Sequence, residues 1–506
     1  MKGVEAVVVG AGVGGLAAAI RLAAAGARVT VFERAGEVGG KLRALDVGGF
    51  PVAAGPTVLT MPHVFADLFA CAGRALGEAI ALDPVEPACR HFFADGARLD
   101  LFNDAARSRD AIRAFAGEHA ARGFDRLREH GARVYQTVRV PFLESPVPSL
   151  GELLSPSRWK LVPQFLRLDS GRTLWRALSD FFADPRLRAL YGRYATYGGS
   201  SPFRCPATLS VIVHVEQEFG VWAVRGGIEQ LALALADAAR ALGVAFRLGA
   251  TVEKIACEGG RVRAVVVGGE RVACDLVFAD CEAIDLYMHL VDGEPGAART
   301  ASRLRAREPS LSAFLQLARA DAGDFPLAHH NVFFSADYER EFAQLFDERR
   351  PPDDPTVYLC ALDRAPGAPA PRGDERMLML TNAPALDGTI DWEKETPRCT
   401  SLLSTTLKRA QLTLRPSATR TVTPADFAAR FPSSRGAIYG AASNSRLAAF
   451  ERPPNRSPTA RGLFLVGGSA HPGAGLPMVA LSAKIAVAEA ARQIGPAATS
   501  GATSTR

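Results

Sequence analysis

The chain has 506 residues, of which 48% are hydrophobic and 22% charged, with 47 Gly, 33 Pro and 8 Cys. This is globular composition, so collagen-like, wholly disordered and disulfide-stapled proteins are excluded. The net charge of +6 is not concentrated in any dense basic run, and no nucleic-acid partner is expected. The cysteines form no CxxC and match no zinc spacing, which reads as reduced, packed thiols of a cytoplasmic protein. At the N-terminus, Gly10, Gly12, Gly14, Gly15 and Arg21 interrupt the apolar run from Val7 to Ala25. A signal peptide needs an unbroken apolar helix there, so the spacing predicts strand, turn and helix instead. Elsewhere no stretch supplies the ~18 uncharged apolar residues of a membrane span.

Ala6 to Val9 is a short apolar run of the kind buried on both faces of a parallel sheet. Gly10, Gly12 and Gly15 follow in G-x-G-x-x-G spacing. The first allows a tight turn, the second lets backbone approach a pyrophosphate, and the third lets the next helix pack on the strand. That helix runs through Ala17 to Ala23 and stops at Gly26. Arg28 to Phe32 alternates as a second strand, and Glu33 at its end is placed to accept from both hydroxyls of a ribose. The unit reads as a dinucleotide cradle, with a helix N-terminus aimed at phosphate. Beyond it lie Arg34, read as a solvated charge or a 2′-phosphate partner, and Gly39-Gly40-Lys41, a glycine pair with a basic residue near the phosphates.

Much later, Leu463 to Val466 reads as another buried strand, and Gly467-Gly468 allows close backbone approach. Pro472, Gly473 and Gly475 shape a loop, and Leu476 to Arg492 reads as a helix with Pro477 in its first turn. His471, between Ala470 and Pro472, is a candidate base, with shaping of the turn as the alternative.

The block Gly467-Gly468-Ser469-Ala470-His471-Pro472-Gly473-Ala474-Gly475 resembles the C-terminal signature of bacterial-type carotenoid desaturases, the phytoene desaturase family. Gly10/Gly12/Gly15, Glu33, Gly39-Gly40-Lys41, Gly55-Pro56-Thr57 and Gly226-Gly227 agree with it. Gly198 to Pro202, Pro206 to Leu209, His214 to Glu216 and His329 to Ser335 look most like the 1-hydroxycarotenoid 3,4-desaturases, the methoxyneurosporene dehydrogenase group. Two departures stand out. Ala53-Ala54 precedes Gly-Pro-Thr where many relatives have an acid, and Phe278-Ala279-Asp280 keeps the Asp of an Asn-Ala-Asp turn without the Asn.

The resemblance implies an α/β fold: a Rossmann-type FAD-binding domain assembled from discontinuous segments (1–60, 215–300 and 435–495), plus an α+β substrate-binding, membrane-facing domain (61–214 and 301–434) and a flexible tail (496–506). FAD is the implied cofactor, held by Gly10, Gly12, Gly14, Gly15, Glu33, Arg34, Gly40, Lys41, Gly55, Pro56, Thr57, Val252, Asp280, Gly467, Gly468, Gly475 and Met478. Between these segments, Leu231 to Leu242 reads as a helix and Val262 to Val267 as a strand. Ala245 to Val252 reads as one strand, and Gly268-Gly269 as a hairpin turn.

The substrate is then an apolar carotenoid. Thr196, Ser200, Ser201, His214 and Glu216 are candidates for pairing with a hydroxyl end, and Trp222 and Phe333 for lining the chain. Residues 141–170, with their prolines and Trp159-Lys160, suit a membrane interface. The expected location is cytoplasmic, peripherally on the inner membrane, with oxygen or a quinone as acceptor. His329-His330 lacks nearby acids or cysteines in sequence, so no metal is expected. The alternatives are phytoene desaturase itself, a non-catalytic lipid escort with a flavoprotein-like fold, and a flavin amine oxidase.

Overall fold

The computed structural model describes residues 1–147, 168–364, 371–446 and 448–494. Its first unit is β1 (Glu5–Val9), α1 (Val13–Ala24) and β2 (Arg28–Glu33). Val7, Val8 and Val9 are buried, as a strand covered on both faces requires. A five-stranded sheet runs Leu463–Leu465, Leu276–Ala279, β1, β2, Ala245–Leu248. All four pairings are parallel. Strands from both ends of the chain thus flank one crevice, the topological switch point where ligands of such sheets bind.

One face of this sheet is covered by α1, Gln230–Ala241 and Leu476–Ile494, whose alanines and leucines form a single core cluster with β1 and β2. A four-stranded sheet covers the other face through Val252, Ile255, Val262 and Val265. In it Gly268 and Gly269 both take positive φ (+58° and +78°) and join Arg261–Val267 to Glu270–Ala273. That is the two-residue hairpin that L side chains resist.

Ala245 to Val252 is not one strand. Ala245–Leu248 pairs with β2, whereas Val252–Glu258 pairs with Arg261–Val267 in the second sheet. The break falls at Gly249, whose φ is +70°. Gly249 and Ala250 turn back to donate to the Ala35 and Glu33 carbonyls.

The other half is built on a seven-stranded sheet in the order Arg415–Val422, Ser312–Asp321, Glu375–Ala383, Val357–Ala361, His330–Phe333, Cys89–Phe92, Arg98–Leu101. The long helix Ala105–Val138, non-helical at Gly117, packs with Leu174–Leu178 and Pro185–Gly192 in an aromatic cluster around Phe124, Phe182 and Tyr191. Leu82–Pro84 pairs with Trp222–Val224 and stitches the two halves together. The membrane-interface reading of 141–170 rests mostly on 148–167, and the tail on 496–506; both lie outside the described residues. No helix among the described residues is long and apolar enough to cross a membrane.

Candidate active site

The two glycine turns meet. A Cβ on Gly14 would come 2.9 Å from Gly467 Cα and N, and one on Gly467 would overlap Asp280 Oδ1. The turn after β1 is fixed by Gly10, at φ +98°, whose N–H donates to Phe32 O at 2.8 Å. A Cβ on Gly15 would overlap the Gly10 carbonyl and touch Val8, which is the close packing of helix on strand that the spacing predicts. The second glycine pair lies alongside. Gly39 N–H donates to Ala11 O at 2.8 Å, and a Cβ on Gly40 would sit 3.2 Å from Gly12 Cα. Gly55 packs on the Lys41 carbonyl and leaves no room for a side chain. Gly475, at φ +110°, opens the last helix, whose Val479 N–H donates to its carbonyl, and Met478 packs beside them against the core.

Acidic groups occupy this junction. Glu33 accepts from Ala11 N–H at 2.7 Å and Ala35 N–H at 2.8 Å. Asp280 accepts from Gly15 N–H at 2.8 Å. Burial pushes the Asp280 carboxyl up to about 7, helped by Glu33 and Glu282 and opposed by the Gly15 bond and Lys41. A carboxylate thus rests on the free N–H of the α1 N-terminus, which is where that helix end draws an anion. Val252 is buried at the end of its strand beside Phe32.

Two basic candidates point elsewhere. Arg34 is exposed at the strand end, the solvated charge of the first alternative. Lys41 Nζ is captured by Glu282 at 3.1 Å and the Ile438 carbonyl at 3.0 Å, and lies over the Phe431 ring.

His471 is not a free base. It is 0% exposed, and its Nε2 lies 2.8 Å from Phe142 O and 2.9 Å from Ser145 O. Both are acceptors, so Nε2 carries the hydrogen, and burial lowers the ring to about 4. It fastens the segment Arg139–Leu143 onto the C-terminal turn. Two residues without a sequence signal complete that turn. Asn455 Nδ2 donates to Leu465 O, His471 O and Ser482, while buried Arg452 donates to Tyr439 O, Gly468 O and Ala441 O. Burial holds Arg452 down at about 10.

Most substrate-side candidates are committed to packing or backbone. Thr196 donates to Arg193 O, and Ser200 Oγ accepts from Ser443 N–H. The Ser201 hydroxyl accepts from Phe203 N–H, and Trp222 N–H donates to Phe219 O. His214 packs against Tyr135 and Phe219. Phe333 stacks on Phe92 at 4.6 Å in the core of the large sheet. Glu216 alone of these seven lines the cavity walled by Tyr194, Tyr197 and Tyr358, where its carboxylate accepts from Tyr194 Oη at 2.5 Å and Tyr197 Oη at 2.7 Å. Thr57 reaches toward the same place, with its Oγ1 2.6 Å from Tyr358 Oη.

The fold brings Cys360 to within 3.6 Å of His329 Nε2, a neighbour that sequence spacing did not show. His329, His330 and Cys360 offer ligand atoms within 4.8 Å of one another. A closed structural zinc site takes four protein ligands, and this group offers three. Burial also keeps the Cys360 thiol at about 12.

Residues 13–279 match the family model described as flavin containing amine oxidoreductase. A hydroxyneurosporene desaturase of Rubrivivax gelatinosus is 40% identical over 95% of this chain and 92% of its own. Another, from Cereibacter sphaeroides, is 42% identical over 95% and 96%. A zeta-carotene-forming phytoene desaturase of Myxococcus xanthus is 33% identical over 96% and 93%. Among solved structures, a putrescine oxidase bound to putrescine superposes with a TM-score of 0.63 at 16% identity, covering 97% of this chain and 99% of that one. The chain belongs to the flavin-containing amine oxidoreductase family and, within it, to the bacterial carotenoid desaturases. It is an FAD-dependent oxidoreductase acting on carotenoids.

The residues present fit that cofactor. Side-chain-free backbone from Gly12, Gly14 and Gly467 converges at a helix N-terminus, and that helix end already draws an anion, the Asp280 carboxylate. Glu33 ends β2 next to the turn.

Proposed function

We propose that the enzyme desaturates the 3,4-bond of a 1-hydroxylated acyclic carotenoid. The observation that carries this reading is the whole-length similarity to hydroxyneurosporene desaturases at 40–42% identity, against 33% for the phytoene desaturase. FAD, when bound, would supply the two-electron acceptor that removing a hydride equivalent from a C–C bond requires. The chain's own residues then have three tasks. The turns at Gly10–Gly15 and Gly467–Gly475 would hold the cofactor, the α1 N-terminus supplying donors for its pyrophosphate and Glu33 an acceptor for its ribose. Gly55-Pro56-Thr57 would join this cradle to the substrate half, through Thr57 and Tyr358. The aromatic cluster excludes water and holds the polyene in line with the ring.

We place the enzyme peripherally on the cytoplasmic face of the inner membrane, where its substrate resides, with oxygen or a quinone as final acceptor. The turn Arg139–Leu143, which leaves Val140 54% exposed, supports this by leading into the proline and Trp159-Lys160 stretch.

The test is turnover of purified, flavin-loaded enzyme on 1-hydroxyneurosporene and on phytoene, each supplied alone in lipid vesicles. A red-shifted product from the hydroxylated substrate is expected. Turnover of phytoene alone overturns the assignment.

A further inference from the structure

One cavity of the substrate half is walled in large part by polar groups, those of Arg193, Tyr194, Tyr197, Glu216, His330 and Tyr358. A hydrocarbon tail gains nothing from such groups, and burying them is unfavourable unless each finds a partner. Most do. Tyr194 and Tyr197 donate to opposite oxygens of Glu216, and Arg193 donates to Tyr197 Oη at 3.2 Å. Tyr358 Oη joins Thr57 Oγ1 at 2.6 Å to His330 Nδ1 at 2.8 Å. The exceptions are Arg193 Nε, Gln217 Oε1 and, on the ring nearest Tyr358, His330 Nε2. His330 is 2% exposed, it lines the cavity, and its Nε2 has no hydrogen-bond partner.

We propose that this cavity seats the tertiary hydroxyl of the carotenoid end group, with His330 Nε2 as its hydrogen-bond donor. The inference rests on the 3,4-desaturase reading above and names the residues behind its specificity.

The relay sets the donor. Burial keeps the His330 imidazole neutral, with its pKa well below the ordinary value, so one ring nitrogen carries a hydrogen and the other accepts. In this assignment Thr57 donates to Tyr358 and Tyr358 donates to Nδ1, which leaves the hydrogen on Nε2, the nitrogen without a partner. Tyr358 is therefore a positioning residue that fixes the tautomer.

Placement agrees with the chemistry. Only C2 separates the carbinol carbon of such a substrate from C3, so the hydroxyl seat must adjoin the reacting bond. The relay starts at Thr57, in the turn that packs on the Lys41 carbonyl next to the glycine cradle. A substrate without the hydroxyl leaves Nε2 unpaired in the complex, the arrangement that discriminates most strongly between near-isosteric ligands.

The experiment compares kcat/KM for 1-hydroxyneurosporene and for neurosporene, in wild type and in His330→Phe, His330→Gln and Tyr358→Phe. Flavin absorbance and the thermal midpoint of each variant show whether it is folded. The hydroxylated-to-unhydroxylated ratio should fall about tenfold to hundredfold in His330→Phe. It should recover in part in His330→Gln, which restores an N–H donor, and fall less in Tyr358→Phe. If His330→Phe does not fold, the other two variants carry the same comparison. Equal turnover of both substrates by the wild type overturns the bond assignment and the seat with it. A discriminating wild type whose ratio survives in every folded variant, or variants that lose both substrates in parallel, overturns the seat alone.

Discussion

A pyrophosphate arriving at the α1 N-terminus would compete with Asp280 for one donor, the Gly15 N–H. With its pKa raised from 3.8 to about 7, the carboxyl is half ionised near neutrality, and a bound dianion beside it raises it further. Binding FAD then takes up a proton. The Kd for FAD should weaken as pH rises from about 6 to 8, by up to about tenfold per unit, and Asp280→Asn should flatten that slope in a calorimetric titration. The sign also applies to folding. A carboxyl raised in the folded state makes stability fall as pH rises from 3.8 toward about 7.

His471 works in the opposite sense, since its folded pKa is depressed from 6.5 to about 4. Stability is fully present above pH 6.5 and falls as acid protonates the unfolded chain first. His91, lowered to about 3, adds to the same trend. His471→Phe should cost about 1–3 kcal/mol, because it leaves the Phe142 and Ser145 carbonyls without their donor, and it should remove part of the acid sensitivity seen in thermal melts. The glycines and Glu33 were legible in the sequence because a nearby motif determines their geometry. The role of His471 was not, because its partners lie more than three hundred residues away.

At the scale of elements, β1, α1 and β2 are readable because each obeys its own periodicity and ends at a residue with a local reason to end it. The run from Ala245 was harder, since its apolar residues continue smoothly while Gly249 redirects the chain into a second sheet. The seven-stranded sheet was not read at all. Its strands come from 89–101 and 312–422, and no short-range signal links them.

The junction of the two glycine turns is the element-level feature most open to test. Gly467 takes φ +95°, and its added Cβ would overlap the Asp280 carboxylate. Gly467→Ala is therefore strained in backbone as well as crowded. It should purify with FAD content reduced by more than about tenfold while keeping most of its secondary structure, as read by flavin absorbance and circular dichroism. Gly259→Ala is the comparison. It also has positive φ, +58°, but nothing lies within 4 Å of its added Cβ. It should keep its flavin.

In the whole molecule, the chain leaves the cradle after β2, returns to lay Ala245–Leu248 beside β2 and Leu276–Ala279 beside β1, builds most of the large sheet, and returns again at Leu463 to lay the edge strand next to Leu276–Ala279. The last helix then packs on α1 through Leu476, Ala480, Ala483 and Ala486. The two ends are thus held by apolar packing below the crevice and, at its mouth, by close-packed backbone around the Asp280 carboxylate, where Gly14 faces Gly467. A ligand that touches both turns stabilises the folded state by an amount set by its concentration over Kd, about 4 kcal/mol at a thousandfold excess. The stabilisation should be shared unevenly. Hydrogen exchange in the peptides covering 10–15 and 467–475 should slow together on adding FAD to apoprotein, with the same concentration dependence. The strands Val357–Ala361 and Glu375–Ala383, interior to the large sheet, should change little. Protection of the first turn alone would mean that the C-terminal block does not reach the cofactor, and that the meeting of the two turns serves packing only. Equal protection everywhere would mean that FAD binding is coupled to global folding, as expected if the stitch between Leu82–Pro84 and Trp222–Val224 makes the two halves one cooperative unit. Protection of the two turns ahead of the sheet is the outcome the geometry favours, because the backbone at the mouth has few side chains to bury and opens at low cost.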